Sequence, residues 1–293
     1  MGLAVSGPNA EQIQYWNDIA GEKWVAVQPL IDAQIGPLGA MAMDRAAIGA
    51  GERVLDIGCG CGHTTVQLAR RVGATGHVTG IDLSQPMLDC ARQRAAREAA
   101  DNVHFENADA QTQVFPPDSF DVLYSRFGVM FFAHPEQAFA NLCAALRPGG
   151  RLAFVCWQAL KDNPWMVVPL AAAAAHLPPL PLPAPGAPGP FAFADAARVE
   201  GILTLAGFVN VAFEAVCEPL ALGGGGQGLD ETVEFLLQMG PAAKALRDAN
   251  DPALRPRVAA AIREAIAPFV TPAGVRMGSA AWIVTARRPR AAS

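Results

Sequence analysis

The sequence lacks an apolar run long enough to span a bilayer. Residues 166–177 come closest, and Pro169 and His176 interrupt them. The first residues, MGLAVSGPNAEQIQ, also lack the basic segment followed by an apolar one that marks a secretory signal. We therefore expect a soluble, cytoplasmic chain without a membrane span.

Basic clusters and metal-ligand spacings are scarce as well. The net charge is −5, and the arginines that stand together are Arg287, Arg288 and Arg290 at the end of the sequence. Nucleic-acid binders usually carry a basic face, so we do not expect a nucleic-acid partner. Cys59-x-Cys61 is not the spacing of a zinc knuckle, and no second Cys or His pair stands ready to complete a site. We expect no bound metal.

What the sequence does contain is an alternation of short apolar strands and helices from residue 52 to residue 157. The predicted strands are residues 54–57, 77–81, 103–105, 120–124 and 151–157, and the predicted helices are residues 64–72, 84–99 and 135–146. Ser84 is a favourable N-cap for the second of these helices. Such an alternation predicts a parallel sheet covered by helices on both faces.

Different segments flank this core. Helices are predicted at residues 11–20 and 23–48, the second with a break near Gly36-Pro37. Residues 178–190, PPLPLPAPGAPGP, are too rich in proline for a regular element. Apolar strands return at residues 208–216 and 279–286, with a helix capped by Asp195 before the first of them. We therefore predict one domain over 1–293. Its parts are a helical lid (1–50), the core (51–157), a Pro-rich insertion (158–194), sheet completion (195–217 and 276–288) and a helical insertion (218–275).

The motif VLDIGCGCG carries the strongest chemical signal. A buried strand ends in glycines at alternating positions, Gly58, Gly60 and Gly62, and a helix follows. Glycines at a strand end let the backbone turn sharply and let a ligand approach the amides closely. Asp56, just before them, is well placed to hold the amino group of a cofactor. A tight turn without a ligand is the alternative, but three alternating glycines exceed what a turn needs.

Acidic residues follow the next two strands. Asp82 ends the second strand, where an acid accepts hydrogen bonds from ribose hydroxyls in doubly wound nucleotide folds. Because Ser84 already fills the helix cap, the ribose role is the better interpretation of Asp82. Asp109, after the third strand, is suited to an adenine amino group, although an Asx-turn is equally common there.

The loop after the fourth strand, YSRFGVMFF, is apolar and carries one arginine. It lies at the carboxyl end of the predicted sheet, beside the crevice in which such folds bind ligands. Burying Arg126 without a partner is costly, so it should pair with an acid such as Asp56 or with a carboxylate on cofactor or substrate. Core packing by the phenylalanines is an equally good explanation of the loop.

Together these motifs resemble the class I S-adenosylmethionine-dependent methyltransferases, in the group with the ubiquinone/menaquinone C-methyltransferases. The similarity runs over roughly residues 45–157, through VLDIGCGCGH, VTGIDLSQPML, ENADAQ, FDVLYSRFGVMFF and LRPGGRLAF. It implies an α/β fold with a doubly wound, seven-stranded, Rossmann-like sheet whose last strand is antiparallel. The N-terminal helices and the helical insertion would form a lid. The sequence departs from the usual pattern of this family at Cys61-Gly62-His63, where relatives often have Thr or Ser together with Gly.

The resemblance also implies which residues bind S-adenosylmethionine, the expected cofactor. They are Asp56, Gly58, Cys59, Gly60, Asp82, Leu83, Met87, Ala108, Asp109, Ala110 and Ser125. Trp24 is a further candidate, as a cover over the cofactor.

The expected partner is a small-molecule methyl acceptor. The segments around the open edge of the sheet are aromatic and apolar, which favours a neutral, oily molecule, although aromatic residues at helical spacing are often core. The candidate acceptor-binding residues are Tyr15, Arg126, Phe127, Met130 and Trp157. A general base is needed only if the acceptor must lose a proton, and His134 is the first choice for it. The acceptor atom (O, N, C or S), the role of residues 178–190, and the choice between monomer and homodimer stay open.

Two other function classes remain. A nicotinamide-dependent oxidoreductase requires the motif G-x-G-x-x-G/A. Gly58 and Gly60 match its first two glycines, but His63 stands where the motif needs the last Gly or Ala, so the match fails. A non-catalytic cofactor-binding or interaction module would use the Pro-rich segment as a partner site.

Overall fold

A computed structural model describes residues 3–178, 184, 186–239 and 241–290. Residues 179–183 and 185 of the predicted Pro-rich segment lie outside this description. The α-helices are Ala10–Asn17 (α1), Ile19–Arg45 (α2), His63–Val72 (α3), Gln85–Arg97 (α4), Pro135–Ala145 (α5), Pro164–Ala174 (α6), Ala196–Leu205 (α7), Leu229–Gln238 (α8), Pro241–Ala249 (α9) and Leu254–Ile266 (α10). No helix in the described ranges is both long and apolar enough to cross a membrane.

In the part of the chain that the structure describes, ten strands form one large and one small sheet. They are Arg53–Ile57 (β1), His77–Asp82 (β2), Val103–Asn107 (β3), Phe120–Arg126 (β4), Leu146–Trp157 (β5), Val209–Val216 (β6), Pro219–Ala221 (β7), Val270–Thr271 (β8), Gly274–Gly278 (β9) and Ala281–Arg287 (β10). The large sheet has the order β3-β2-β1-β4-β5-β10-β6. The strands from β3 to β5 pair in parallel, and β10 is antiparallel to both β5 and β6. The predicted doubly wound, seven-stranded sheet with an antiparallel last strand is confirmed.

Helices cover the large sheet as the alternation requires. α2, α3 and α4 pack against one another and against β1 to β5, whereas α5 and α7 pack together against β5 and β6. Tyr124 of β4 is fully buried and its hydroxyl donates to the carbonyl of Gly39 in α2 at 2.9 Å. Phe139 of α5 contacts Phe154 of β5 with ring centroids 5.8 Å apart. These contacts hold α2 and α5 against the sheet. Because β1, β2, β3 and β4 run parallel, the turns that follow them lie at the same carboxyl edge.

The predicted break near Gly36-Pro37 is wrong, because α2 runs without interruption for 27 residues. Both internal prolines, Pro29 and Pro37, lie on the exposed side of the helix. Water can there satisfy the carbonyl that loses its amide partner, so a proline on this side does not end the helix. The opposite side is buried through Ile35 and Leu38 and keeps the helix on the sheet.

The insertion at 218–275 is more varied than the sequence indicated. Besides the helices α8, α9 and α10, it contains a small sheet of order β7-β9-β8. Its strands have two to five residues. Segments of that length are too short for a period-two pattern to stand out.

Candidate functional site

The glycine loop between β1 and α3 is built from left-handed backbone. Gly58, Gly60 and Gly62 have φ of +66°, +55° and +75°. A Cβ on Gly58 would lie 2.8 Å from the Cα of Gly128, and one on Gly62 would lie 2.8 Å from the Cβ of Ala91. Only glycine satisfies both the dihedral angle and the space at these positions.

Asp56 is the penultimate residue of β1, just before this loop, and is fully buried. Its Oδ2 accepts hydrogen bonds from the hydroxyls of Thr64 and Thr65 in the first turn of α3, each at 2.7 Å. Its Oδ1 is buried and has no hydrogen-bond partner among the residues that the structure describes. Burial raises the pKa of Asp56 to about 6, against the opposing effect of the two threonine hydrogen bonds and the charge of Arg126.

An unsatisfied buried carboxylate oxygen costs free energy on the order of 1–3 kcal/mol or more, so a donor is expected beside it. The ammonium group of the methionine part of S-adenosylmethionine is such a donor. Asp56 and the three glycines therefore fit the cofactor that the sequence predicts.

Asp82 ties the end of β2 to the same loop. Its Oδ2 accepts from the Gly60 amide at 2.8 Å and its Oδ1 accepts from the Ser84 amide at 2.9 Å. Burial raises the pKa of Asp82, and the backbone hydrogen bonds oppose that rise. The N-cap predicted at Ser84 is observed, since its hydroxyl accepts from the Met87 amide. The carboxylate lies where the ribose role was predicted, and each oxygen keeps lone pairs free for a further donor.

The remaining predicted cofactor residues gather around these two acids. Met87 contacts the loop, with its Cε 3.0 Å from the place a Cβ on Gly60 would take. The amide of Cys59 donates to the carbonyl of Ile81, and that of Ala108 to the carbonyl of Asp82. The Ser125 hydroxyl is buried and joins the end of β1 to the loop after β4, because it donates to Ile57 O and accepts from the Gly128 amide.

The other adenine-side candidates lie beyond β2 and β3. The carbonyl of Leu83 accepts from the side chains of Asn17 and Asn107. Ala110 is buried and its carbonyl accepts from the Asn141 side chain. Asp109 is 5% exposed, and its Oδ1 accepts hydrogen bonds from within and outside its own turn.

Arg126 pairs with Asp32 of α2 and not with Asp56. Arg126 Nη2 lies 2.9 Å from Asp32 Oδ1, and Arg94 Nη2 of α4 lies 3.0 Å from Asp32 Oδ2. His63, the first residue of α3, places Nδ1 3.2 Å from the same carboxylate. Burial acts to raise the pKa of Asp32, but the hydrogen bond from His63 and the charge of Arg126 outweigh it and lower that pKa.

Sequence reasoning missed this charge cluster, which we define as Asp32, His63, Arg94 and Arg126. A signal was present, because Gln28 and Asp32 lie one turn apart among the buried residues of a mostly apolar stretch of α2. Their partners come from α3, α4 and β4, however, and no local spacing links those elements to α2.

An aromatic stack lies at the carboxyl ends of β4 and β5. Phe127 stacks on Trp157 with centroids 4.1 Å apart, and Trp157 contacts Trp165 at 5.0 Å. Phe127 has φ +59°, a conformation that a bulky residue adopts only when its surroundings hold it there. Met130 is buried in the loop that follows.

A second aromatic group covers the same edge from the N-terminal side. Trp16 makes edge contacts with Tyr15, Trp24 and Phe131. Trp24 is partly buried, and Tyr15 is 46% exposed. Through Phe131, these side chains attach α1 and the start of α2 to the loop after β4.

His134 precedes α5 and its side chain is exposed. Its backbone amide donates to Gln111 Oε1 at 2.8 Å, and its ring makes no hydrogen bond within the described part of the chain. Across residues 3–178, 184, 186–239 and 241–290, no group of three or more His, Cys, Asp or Glu residues could hold a metal ion.

Comparisons with known proteins agree with this geometry. Residues 54–150 match the family described as "Methyltransferase domain". The chain is 38% identical over 118 residues to aklanonic acid methyltransferase DauC of Streptomyces sp. (strain C5), covering 40% of this chain and 54% of that protein. It is 42% identical over 103 residues to ubiquinone/menaquinone biosynthesis C-methyltransferase UbiE of Stutzerimonas stutzeri (strain A1501), covering 35% and 40%. The chain thus spans about half the length, or less, of these curated relatives.

Solved structures share the fold at low identity. YcgJ of Bacillus subtilis superposes with a TM-score of 0.56 at 19% identity, covering 86% of this chain and 98% of that one. Phosphoethanolamine N-methyltransferase 2 of Haemonchus contortus gives 0.57 at 17%, covering 97% and 61%. The cyclase SpnF gives 0.54 at 21%, covering 94% and 96%, so the fold alone does not decide the reaction. Residues 54–150 thus contain both the glycine loop and the match to the methyltransferase domain family.

Proposed function

We propose that this protein transfers the methyl group of S-adenosylmethionine to a small molecule. The observation that carries the proposal is the buried Oδ1 of Asp56, next to the left-handed glycine loop, which has no hydrogen-bond partner in the described part of the chain. The loop supplies close backbone approach, and Asp56 supplies an acceptor for an ammonium group. Asp82 and Asp109 follow at the ends of the next two strands, in the order that the ribose and adenine of one extended nucleotide require.

We further propose an apolar or aromatic acceptor. Phe127 and Trp157 are buried beneath the carboxyl edge at 8% and 5% exposure, and the partly buried ring of Trp165, which contacts Trp157, leaves apolar surface there. The partly buried rings that contact Trp16 provide more. Aromatic rings prefer to stack or to meet edge to face, so a planar acceptor is held by the same interactions. The names of the curated relatives, which refer to aklanonic acid and to quinone biosynthesis, also favour a small organic acceptor.

The proposed reaction requires little covalent chemistry from the residues of the protein. The bound cofactor supplies a methyl group already activated on a sulfonium, with a neutral leaving group. The residues of this chain orient the cofactor through Asp56 and Asp82, and the aromatic groups exclude water from the edge of the sheet. Where the acceptor must lose a proton, His134 is the proposed base.

Release of S-adenosylhomocysteine over a panel of phenols, quinones, amines and carboxylic acids tests this function. We expect turnover with at least one planar aromatic acceptor, and loss of cofactor binding in Asp56→Ala. Asp89→Ala is the matched control, because its carboxylate lies on the exposed side of α4. Tight binding of S-adenosylmethionine without turnover on any acceptor favours a non-catalytic module. Binding of NAD in place of S-adenosylmethionine refutes the proposal.

A further inference from the structure

Asn9 immediately precedes α1, where asparagine usually accepts a hydrogen bond from an amide of the first turn. Its side chain makes no such bond, although it is 2% exposed. Its Nδ2 instead donates to Asp109 Oδ1 at 2.8 Å, and its Oδ1 accepts from the Ala133 amide at 2.9 Å. The amide thus serves two turns at the carboxyl edge of the sheet, 100 and 124 residues away in sequence, and not its own helix.

Gln111 completes the same network. Its Oε1 accepts from the His134 amide at 2.8 Å, next to the Ala133 amide that Asn9 binds. Its own backbone amide donates to Asp109 Oδ1 at 2.9 Å. The side chain is 5% exposed, and Nε2 is buried with no hydrogen-bond partner in the chain as described.

Two polar atoms of this network are left over. Asp109 Oδ1 accepts two hydrogen bonds, whereas Oδ2 accepts none from any described residue. Gln111 Nε2 is a donor without an acceptor among the described residues. A buried donor without a partner is unfavourable. Gln111 Nε2, together with the Asp109 oxygen in the same turn that accepts no hydrogen bond from a described residue, therefore indicates a ligand with the complementary pair. Adenine has that pair, because its 6-amino group donates and the ring nitrogen beside it accepts.

We propose that Asn9 and Gln111 make the cofactor site selective for adenine. Asn9 is a positioning residue, since it holds one oxygen of Asp109 and leaves the other to accept from the 6-amino group. Gln111 donates from Nε2 to N1 of the adenine ring, the nitrogen next to the carbon that carries the 6-amino group. The inference rests on the proposed function, and it assigns base selectivity to an N-terminal residue outside the matched region 54–150.

The test compares S-adenosyl-L-homocysteine with S-inosyl-L-homocysteine by titration calorimetry. The inosyl compound replaces the 6-amino group by a carbonyl and puts a hydrogen on N1, so it mismatches both Asp109 and Gln111. We expect wild type to prefer the adenosyl compound by at least about a hundredfold, since buried polar groups left unpaired discriminate strongly. Asn9→Ala should reduce that ratio at least tenfold. Gln111→Glu keeps the acceptor for the His134 amide but replaces the donor, and should weaken adenosyl binding at least tenfold.

Asn17→Ala is the matched control. Asn17 also attaches the N-terminal segment to the carboxyl edge, through Leu83 O and the Gln85 amide, but it does not contact Asp109. A general loosening of α1 lowers affinity for both compounds and leaves their ratio unchanged, which is the expected result for this control. An unchanged ratio in Asn9→Ala, or undiminished adenosyl binding in Gln111→Glu, overturns the inference while the proposed function stands. Failure of wild type to bind the adenosyl compound overturns both.

Discussion

Replacing Asp32 by asparagine should destabilise the protein by about 3–5 kcal/mol, the usual cost of removing one partner from a buried ion pair. The Asp32 side chain is 9% exposed, and those of Arg94 and Arg126 are 12% and 10% exposed. Each guanidinium approaches a different oxygen of the one carboxylate, at 3.0 and 2.9 Å. Two unit charges about 4 Å apart interact by roughly 4 kcal/mol at an effective dielectric constant near 20. Asparagine removes that attraction from both arginines and turns an amide nitrogen toward one of them.

Urea unfolding at pH 7 measures the effect, with Asp44→Asn as the control. Asp44 lies on the same helix and pairs with Arg71 at 2.7 Å, but its side chain is 59% exposed. That substitution should cost less than about 1 kcal/mol, as surface ion pairs do. The pKa of Asp32 is lowered on folding, so its contribution is fully present above the unfolded value near 3.8 and is lost as the pH falls through the folded value. Equal costs for Asp32→Asn and Asp44→Asn would refute the role assigned to burial.

Three further predictions concern the cofactor and acceptor sides of the site. Because the pKa of Asp56 is raised to about 6, affinity for S-adenosylhomocysteine should fall by up to about tenfold per unit below pH 6, as the carboxylate that accepts from the ammonium becomes protonated. Calorimetry from pH 5 to 8 checks this, and Asp56→Asn should abolish the dependence; a flat wild-type profile contradicts it. Gly58→Ala combines the strain of a left-handed residue with a Cβ that would lie 2.8 Å from a backbone atom, whereas Gly226→Ala at φ +71° has the strain but meets no described atom within 4 Å. The free energy of unfolding should therefore fall by at least about 2 kcal/mol more in Gly58→Ala than in Gly226→Ala. Trp165→Ala should raise KM for an aromatic acceptor at least about tenfold and leave the Kd for S-adenosylhomocysteine unchanged, since its ring contacts Trp157; a weakened cofactor Kd argues against an acceptor role.

The parts of the fold that the sequence predicted are those governed by local pattern. Short apolar strands alternating with helices gave the large sheet, and Ser84 and Asp195 cap the helices that they were expected to cap. The glycine loop was recognisable because left-handed backbone restricts the residue type directly. The acids at the ends of β1, β2 and β3 followed from topology, since parallel strands bring their carboxyl ends to one edge.

The structural features that the sequence did not predict depend on contacts between distant segments. Arg126 was expected to need an acid, but nothing near it in sequence pointed to Asp32, 94 residues away. The position of Asn9 resembles that of an ordinary helix cap, and only the folded chain shows its side chain turned toward Asp109. The continuity of α2 through Pro37 likewise depends on which side of the helix faces water, and the pattern of residues around the proline does not give that side.

The contact between Gly58 and Gly128 constrains how such a protein can diversify. A Cβ on either residue would meet the Cα of the other at 2.8 or 2.9 Å, so neither position can accept a side chain while the other stays in place. The turns after β1 and β4 are thereby joined backbone to backbone, and a change in one cannot be compensated by trimming the other. If the proposed function holds, new acceptor preferences are expected to arise in segments around this junction, such as α1 and α2.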